Sequence, residues 1–380
     1  MTVKPLPIMT TAPMPTLGSL LSWGSIPTEG RMSLPWVSPG DHFALFARAR
    51  WALRAVVDGF TQADGVAPRV WVPDYFCNSA LVSVRQTAAT LVFYPTTAGF
   101  EPDWPACEAM ARSIPPRLFL QVHYFGWPSD MTRARAFCHT YQAVLIEDAA
   151  HALAPTATIG QRGDYTIWSF YKHLPAPDGA LLTARASAAA AAAVVRAARK
   201  LCGRGEDRPH GWWMRRLMQR LAPAAVARLR PGQPPFEFDP QALELPSSPG
   251  MSRLARRMIA GYSGHLPAIA ERRLVNEAAV RRSLQSCPGL RPAFPPPSLD
   301  GAPYRAVFRA ETTETARYWY DRLTQAGHAV ETWPDLAPEI HAAPGRHAVA
   351  LSLRATCIGL PIHADRTPEE LSTGYGRACT

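Results

Sequence analysis

The sequence predicts an α/β protein, with a large domain built on a mostly parallel β-sheet and a smaller C-terminal α/β domain. Short apolar runs alternate with helical stretches between residues 69 and 184, as is typical of parallel strands covered by helices. The run at 143–148 lacks polar alternation, as expected of a strand buried on both faces. A chain of 380 residues is also long enough for two domains.

The elements follow in order along the chain. Helical spacing with few breakers predicts a helix within 41–60. Strands are predicted at 69–73, 90–95, 117–125, 143–148, 165–170 and 179–184. Helices are predicted at 77–86, 104–113, 131–142 and 186–200. Beyond residue 250 we predict a long helical stretch at 251–285, a helix at 313–327, and strands at 306–311, 347–353 and 357–363.

Prolines divide the chain. The 38 prolines concentrate at the N-terminus, around 222–249 and around 288–303, where they indicate loops and linkers. We therefore predict an irregular N-terminal arm (1–40), a large domain (41–202), an insertion and linker with a basic amphipathic helix (203–250), and a small C-terminal domain (251–380). Residues 211–221 of the insertion fit either a membrane-surface helix or a helix packed on the body or a second subunit. We favour packing.

Composition narrows the function classes. The net charge is +10, but the arginines are spread along the chain without an aromatic-rich RNA motif or a helix-turn-helix pattern. Nucleic acid is therefore a poor candidate for the main ligand, and an anionic substrate explains the charge equally well. Seven scattered cysteines without a CxxC pair predict reduced thiols and no metal site, hence a cytoplasmic protein. We expect neither a membrane span nor a signal peptide, because prolines and arginines interrupt every apolar run.

Lys172 is an unusual residue in this chain. Only three of the 40 basic residues are lysines, and Lys172 follows the apolar and aromatic segment 165–171. A lysine amine can lose its proton and attack a carbonyl, whereas an arginine cannot, and burial favours the neutral amine. Taken alone, Lys172 could equally be a lysine that extends its amine to the surface.

Several segments together resemble the DegT/StrS family of pyridoxal-phosphate (PLP) aminotransferases that act on nucleotide sugars. The resemblance covers about 45–200 well and about 251–375 loosely. It is carried by VWVPDY, QVHYFGWPSDM, VLIEDAAHA, GDYTIWSF, KHLPAPDGALL and CIGLPIHADRTPEEL, in the family's order. It implies the fold type I architecture of PLP-dependent transferases, which is aspartate-aminotransferase-like, and a homodimer with sites at the interface.

The resemblance assigns catalytic roles to the central residues. Lys172 would hold PLP covalently and later shuttle a proton as a free amine. Asp148 would pair with the pyridine nitrogen, although a helix N-cap after a strand explains a lone aspartate equally well. His151 would lie near the oxygen substituent of the ring, with a packing histidine as the alternative.

The remaining cofactor contacts are also implied by resemblance. Ser169 would bind the phosphate with its hydroxyl. Arg50 and Trp51 align with the family's helix start, where Arg50 could hold phosphate or simply be a surface residue. The family's ring-stacking aromatic falls near Cys77, which is too small, so Tyr75 or Phe76 is the expected substitute.

Other differences from the family concern the turn before the lysine. Two residues separate Ser169 from Lys172, whereas the family usually has four. The family's asparagine that reaches the neighbouring subunit falls near Met251, with Arg253 close by. The chain is thus identified as a divergent member.

The resemblance implies an aminotransferase that moves an amino group, with glutamate as the expected donor, to a keto sugar linked to a nucleotide. The product would serve polysaccharide or secondary-metabolite biosynthesis. One alternative is a sugar dehydratase, which has histidine in place of the lysine, and His173 leaves room for a shifted register. Another is an inactive relative that acts as a regulator or scaffold.

Overall fold

The computed structural model describes residues 10–21, 35–205, 207–228, 235–237, 248–297, 301–333 and 335–379. A seven-stranded sheet lies at its centre. The strands are β1 (His42–Phe46), β2 (Arg69–Pro73), β3 (Thr90–Tyr94), β4 (Leu118–Val122), β5 (Val144–Ala149), β6 (Tyr165–Ser169) and β7 (Ala180–Ala184). Their order is β1-β7-β6-β5-β4-β2-β3. Strands β2 to β6 pair in parallel and β7 runs antiparallel to both neighbours, so the predicted mostly parallel sheet is confirmed.

Helices pack on both faces of this sheet. They are α1 (Leu17–Leu21), α2 (Ala49–Asp64), α3 (Asn78–Leu81), α4 (Trp104–Ala111), α5 (Met131–Thr140), α6 (Phe170–His173) and α7 (Ala191–Cys202). The apolar residues of α2 and α7 form one core with alternate residues of the strands, among them Ile146. Those of α4 and α5 form a second core on the opposite face, with Leu145. The alternation of side chains along each strand supplies both cores.

Helix α2 is fixed closely against α7. A Cβ atom on Gly59 would lie 2.5 Å from the Cα of Val194, so only glycine allows this approach. The helix ends at Gly65, whose φ of 70° is a left-handed conformation that glycine adopts without strain. The first turn of α2 is thereby held at the edge of the sheet where β5 and β6 end.

A smaller antiparallel sheet lies in the C-terminal part, in the order β10-β9-β8. Its strands are β8 (Leu290–Pro292), β9 (Arg305–Ala310) and β10 (Cys357–Pro361). The helices after the central sheet are α8 (His210–Leu221), α9 (Pro223–Arg228), α10 (Arg253–Tyr262), α11 (Leu266–Leu284), α12 (Thr313–Gln325), α13 (Pro338–Ala342), α14 (Ala348–Thr356) and α15 (Pro368–Cys379). A separate apolar core joins α11, α12 and α15 to this sheet.

Three expectations need correction. Residues 42–46 form β1 and not the start of a helix, because they pair in register with β7. Residues 348–356 form α14 and not a strand, since a short apolar run suits a buried helix as well as a strand. Cys287 is disulfide-bonded and not a reduced thiol, whereas the cysteines at 77, 107, 138 and 357 are free.

The domain limits at 40, 202 and 250 stay predictions. Parts of the predicted N-terminal arm (1–9 and 22–34) and of the linker (229–234 and 238–247) lie outside the described residues. The described part of the arm contains α1, and the amphipathic helix predicted at 211–221 corresponds to α8.

Candidate active site

A cavity of about 300 Å³ lies between the two sheets. One wall comes from the carboxyl edge of the central sheet and the first turn of α2. The other comes from β9, β10 and residues 331–333. Because parallel strands end at the same edge, residues that follow different strands meet here, as is usual for ligand sites in α/β folds.

Lys172 reaches the cavity from α6, which begins immediately after β6 ends at Ser169. Its Nζ lies 5.8 Å from the centre of the Tyr304 ring. Among the described residues, the amine has no hydrogen-bond or ion-pair partner. The short turn between Ser169 and Lys172 therefore still presents the lysine to the cavity.

Asp148 lies near the end of β5 and is only 9% exposed. Its Oδ1 accepts a hydrogen bond from the Ala150 N–H at 2.9 Å. Burial raises the pKa of this carboxyl above its ordinary value, and that backbone hydrogen bond and the charge of Lys172 oppose the shift. No arginine or lysine within the described ranges forms an ion pair with Asp148, so the carboxylate has room for a cationic ligand.

His151 is buried beside Asp148 in the cavity wall. Its Nδ1 accepts a hydrogen bond from the Phe125 N–H at 3.2 Å, so the ring proton lies on Nε2. The ring stacks on Tyr304, with 4.9 Å between centroids and 11° between planes. Burial first, and then the charge of Lys172, hold the pKa of His151 well below its usual range. His151 is therefore a neutral hydrogen-bond donor.

Two arginines lie at the start of α2. The Arg48 guanidinium donates to the Pro177 carbonyl at 3.2 Å and covers the ring of Tyr171 at 4.3 Å. Arg50 lines the cavity, and its guanidinium makes no hydrogen bond or ion pair among the described residues. Burial lowers the pKa of Arg50, but the group remains a cation. This end of the cavity is suited to an anion.

The other predicted contacts divide into two groups. Tyr75 and Phe76 line the cavity, and Tyr75 stacks on Trp333 with 4.6 Å between centroids. Ser169 and Trp51 are buried behind the wall and do not line it. The Ser169 hydroxyl and the Trp51 indole N–H have no hydrogen-bond partner in the part of the chain that the structure describes.

The sequence did not reveal the residues that the C-terminal part contributes. Tyr304, Arg305, Glu331 and Trp333 all line the cavity. Arg305 is 2% exposed, pairs with Glu331, and donates to the Tyr304 hydroxyl at 2.9 Å. These residues lie far along the chain from Lys172, and only the docking of the small sheet brings them to the same cavity.

Two further observations concern metal binding and membrane spans. No group of three or more potential metal ligands is present among the described residues. None of the helices in the described ranges combines the length and apolar character that crossing a bilayer requires.

Sequence comparison supports the resemblance. Residues 91–215 match the model of the DegT/DnrJ/EryC1/StrS aminotransferase family. The dTDP-4-dehydro-2,3,6-trideoxy-D-glucose 4-aminotransferase of Saccharopolyspora spinosa is 36% identical over 87 residues, which are 21% of this chain and 23% of that protein. The chain thus aligns with less than a quarter of this curated relative.

Structure comparison covers far more of the chain. The aminotransferase TlmJ from Streptoalloteichus hindustanus superposes with a TM-score of 0.65 over 89% of this chain and 84% of its own, at 20% identity. Spr1654 from Streptococcus pneumoniae, in its PMP form, gives a TM-score of 0.71 over 98% and 97%, at 16% identity. The predicted fold type I architecture is therefore confirmed.

Proposed function

We propose that this divergent member of the DegT/StrS family is a PLP-dependent aminotransferase that transfers an amino group from glutamate to a keto sugar linked to a nucleotide. The observation that carries the proposal is the position of Lys172. Its amine, without a partner in the described residues, shares one cavity with a buried carboxylate, Asp148, that has no cationic partner there.

The residues around the cavity fit PLP in two respects. Asp148 is a buried acceptor that suits a protonated pyridine nitrogen. Arg50 and the backbone N–H groups at the start of α2 suit a phosphate. Ser169 is the predicted third contact, and its unpaired hydroxyl lies directly before the helix that carries Lys172, behind the cavity wall. Spr1654, which shares the fold, was solved in PLP and PMP forms.

Each residue then has a defined task. When bound, PLP supplies an electron sink for the substrate carbon. Lys172 holds the cofactor and, once displaced, moves a proton with its amine. Asp148 keeps the pyridine nitrogen protonated, and the Nε2–H of the neutral His151 donates a hydrogen bond to an oxygen substituent. The aromatic wall around Tyr75 and Trp333 excludes water from these steps.

The substrate class follows from charge and from a relative. The arginines at the start of α2 give one end of the cavity a positive character that suits a pyrophosphate. The Saccharopolyspora spinosa relative is named for a dTDP-linked keto sugar. We propose the same class here, in polysaccharide or secondary-metabolite biosynthesis, for a cytoplasmic homodimer.

The dehydratase alternative has less support. It needs a histidine at the position of the lysine, and His173 is the nearest candidate in sequence. His173 is 3% exposed and does not line the cavity, whereas Lys172 does. The shifted register is therefore disfavoured.

Cofactor binding and trapping test the proposal. Protein supplied with PLP should absorb at about 420 nm. Borohydride should fix the cofactor to the peptide that contains Lys172. Lys172→Ala should abolish the trapped adduct, and Lys200→Ala, at an exposed lysine outside the cavity, should not. Adding glutamate should bleach the absorbance as the cofactor accepts the amino group.

The outcomes separate the alternatives. Protein that takes up no PLP would contradict both enzyme hypotheses and favour a scaffold. Protein that binds PLP but is never converted by glutamate would contradict the proposed donor. If Lys172→Ala still formed the adduct, the assignment of Lys172 would be wrong.

A further inference from the structure

Two buried basic side chains lie behind the cavity wall and have no role in the proposed reaction. We call them the Arg273–His173 site: Arg273 is on α11 and His173 is on α6. Arg273 is 0% exposed and His173 is 3% exposed, and neither side chain lines the active-site cavity. The site is therefore enclosed by protein and separate from the place proposed for PLP.

Tyr304 brings the two side chains together. The Arg273 guanidinium donates through Nε and Nη2 to two backbone carbonyls, those of Pro303 at 2.9 Å and Tyr304 at 2.8 Å. The ring of His173 packs edge-on against the ring of Tyr304, with 5.3 Å between centroids. Burial first, and then the charge of Arg273, hold the pKa of His173 well below its usual range. The two groups are thus neighbours, and His173 is neutral.

Both side chains keep polar atoms without a partner. No hydrogen bond within the described ranges reaches Arg273 Nη1 or either ring nitrogen of His173. The Ala150 carbonyl is near enough to favour the charged form of His173, but neither ring nitrogen hydrogen-bonds to it. Buried N–H groups in proteins almost always have an acceptor. The guanidinium and the imidazole therefore present donors to a group that can accept from both.

No carboxylate among the described residues balances the charge of Arg273. Burial, and then the charge of Arg305, lower the pKa of Arg273 to about 9, so the guanidinium is a cation at neutral pH. It forms no ion pair in the part of the chain that the structure describes. Asp365 has a smaller effect on this pKa than Arg305, and its carboxylate accepts instead from the Met14 N–H at 3.4 Å. A buried cation without a counter-charge is unfavourable, because the cost of its desolvation is not repaid.

We propose that Arg273 Nη1 and the N–H of His173 bind a small monovalent anion such as chloride. An anion satisfies both donors and also balances the charge of Arg273, whereas a water molecule satisfies only the donors. Because both side chains are enclosed, the ion is not a nucleotide or a sugar phosphate. It joins α6, which carries Lys172, to α11 and to the segment that carries Tyr304. The bound ion therefore strengthens the docking of the small sheet beside the cavity.

Thermal unfolding of the full chain tests this, with and without PLP. Replacing about 0.2 M sodium gluconate by the same concentration of sodium chloride should raise the melting temperature by about 2 °C, because an ion that binds only the folded state stabilises it. The ionic strength is equal in the two salts, so general screening is the same. Gluconate is too large for an enclosed site and serves as the reference anion.

Variants locate the ion. Arg273→Gln should reduce the chloride shift to less than about 0.5 °C. The matched control is Arg272→Gln, at an exposed arginine one position earlier on α11, which should keep the full shift. Arg50→Gln should also keep it, and this separates the site from the anion-binding end of the cavity.

Bromide gives a second measurement that needs no variant. Crystals of the wild type grown in sodium bromide should show an anomalous peak within about 3.5 Å of Arg273 Nη1. This result decides the question even if Arg273→Gln fails to fold.

Three results would overturn the proposal. One is a full chloride shift in folded Arg273→Gln, and another is loss of the shift in Arg50→Gln alone, because the ion would then lie in the cofactor cavity. The third is a water molecule at Arg273 Nη1 in the bromide crystals, with no anomalous peak there. None of these measurements depends on turnover or on trapped PLP, so a failure here is distinct from a failure of the proposed activity.

Discussion

Two neighbouring carboxylates on β5 lie on opposite faces of the central sheet. Both are buried, but they differ in their hydrogen bonds and in the direction of their pKa shifts. Glu147 faces the core of α4 and α5, and Asp148 faces the core of α2 and the cavity. Glu147 accepts hydrogen bonds from His123 Nε2 at 2.8 Å and from three backbone N–H groups, those of residues 160, 162 and 163. Asp148 accepts one.

The number of donors decides the ionisation of each group. Burial opposes the charge of Glu147, but the hydrogen bonds outweigh it, and the pKa of Glu147 lies below its usual value. Burial dominates at Asp148 and raises its pKa. A carboxylate whose acceptors are filled holds the fold together, whereas one with empty acceptors is available to a ligand. The two faces of one strand therefore separate stability from function.

Asp148→Asn alters the carboxylate on the cavity side of β5, and we expect it to have the largest effect on activity. An amide cannot keep a pyridine nitrogen protonated, so turnover should fall about a thousand-fold. Stability without cofactor should stay the same or rise, because a buried carboxylate with one hydrogen bond is removed. Steady-state rates and urea denaturation measure the two quantities.

Asp74→Asn is the matched control for that variant. Asp74 is buried outside the cavity, and it bonds to His347 at 2.9 Å and to the Thr96 N–H at 2.9 Å. The control should lose stability and keep its turnover once folded. If Asp148→Asn instead lost stability and kept its rate, Asp148 would be a structural residue.

Much of the functional face could be predicted because it depends on local order in the sequence. Residues after parallel strands must meet at one edge, so Asp148 and Ser169 could be placed near each other without a structure. The resemblance to the DegT/StrS family added His151, Lys172 and Arg50. Asp148, His151, Lys172 and Arg50 do line one cavity, while their roles stay predictions. Tyr304 could not be found, because its position depends on how the second sheet docks.

Local pattern was also insufficient for secondary structure in two places. The segment 42–46 is strand only because β7 lies beside it, and 348–356 is helix because Ala350 and Leu353 face the core together. Both are short apolar runs, for which tertiary contacts outweigh intrinsic preference.

Glu147→Gln alters the carboxylate on the other side of β5, and we expect it to lower stability. Removing the charge leaves His123 and the backbone of 160–163 with a weaker acceptor, which should cost about 2–4 kcal/mol of unfolding free energy at neutral pH. Turnover of the folded variant should change less than about three-fold, because Glu147 does not line the cavity.

The pH dependence gives an independent check on Glu147. A lowered pKa in the folded state contributes stability that is present above the unfolded pKa of about 4.3 and is lost as the pH falls through the folded value. The unfolding free energy of the wild type, measured by urea denaturation, should therefore decrease below about pH 4.3. The decrease should be smaller in Glu147→Gln. If the unfolding free energies of both proteins fell equally with pH, Glu147 would not be the group responsible.

Glu101 is a third carboxylate that extends the comparison of Glu147 with Asp148. It lies next to Gln121, the residue of β4 that pairs with Glu147. Glu101 accepts only two long hydrogen bonds, from Gln121 Nε2 at 3.3 Å and the Asp130 N–H at 3.2 Å. Burial raises its pKa to about 7. Its contribution to stability is thus complete below the unfolded pKa of about 4.3 and is lost as the pH rises through about 7.

Glu101→Gln should accordingly act in the opposite direction to Glu147→Gln. We expect it to raise the unfolding free energy by about 1–2 kcal/mol at pH values above about 8 and to change it little near pH 4. Urea titrations at the two pH values measure this difference. Destabilisation at the higher pH would mean that the ionised carboxylate is better satisfied than its two hydrogen bonds indicate.

Ser169→Ala gives the smallest effect and tests whether an empty hydrogen-bond position belongs to a ligand. The Ser169 hydroxyl is 1% exposed and has no partner among the described residues, so its removal should raise the stability of cofactor-free protein by up to about 1 kcal/mol. The affinity for PLP should fall about ten-fold, because one hydrogen bond to a charged phosphate is lost.

Ser252 is the matched control, equally buried but satisfied, since its hydroxyl accepts from the Ala255 N–H at 3.2 Å and caps α10. Ser252→Ala should lower stability by about 1 kcal/mol and leave PLP affinity unchanged. Opposite signs in the cofactor-free melting temperatures would show that the two hydroxyls differ in the way that Asp148 and Glu147 differ. A shared sign would mean that the Ser169 hydroxyl already has a partner, and the phosphate contact would then have to come from Arg50 and the first turn of α2.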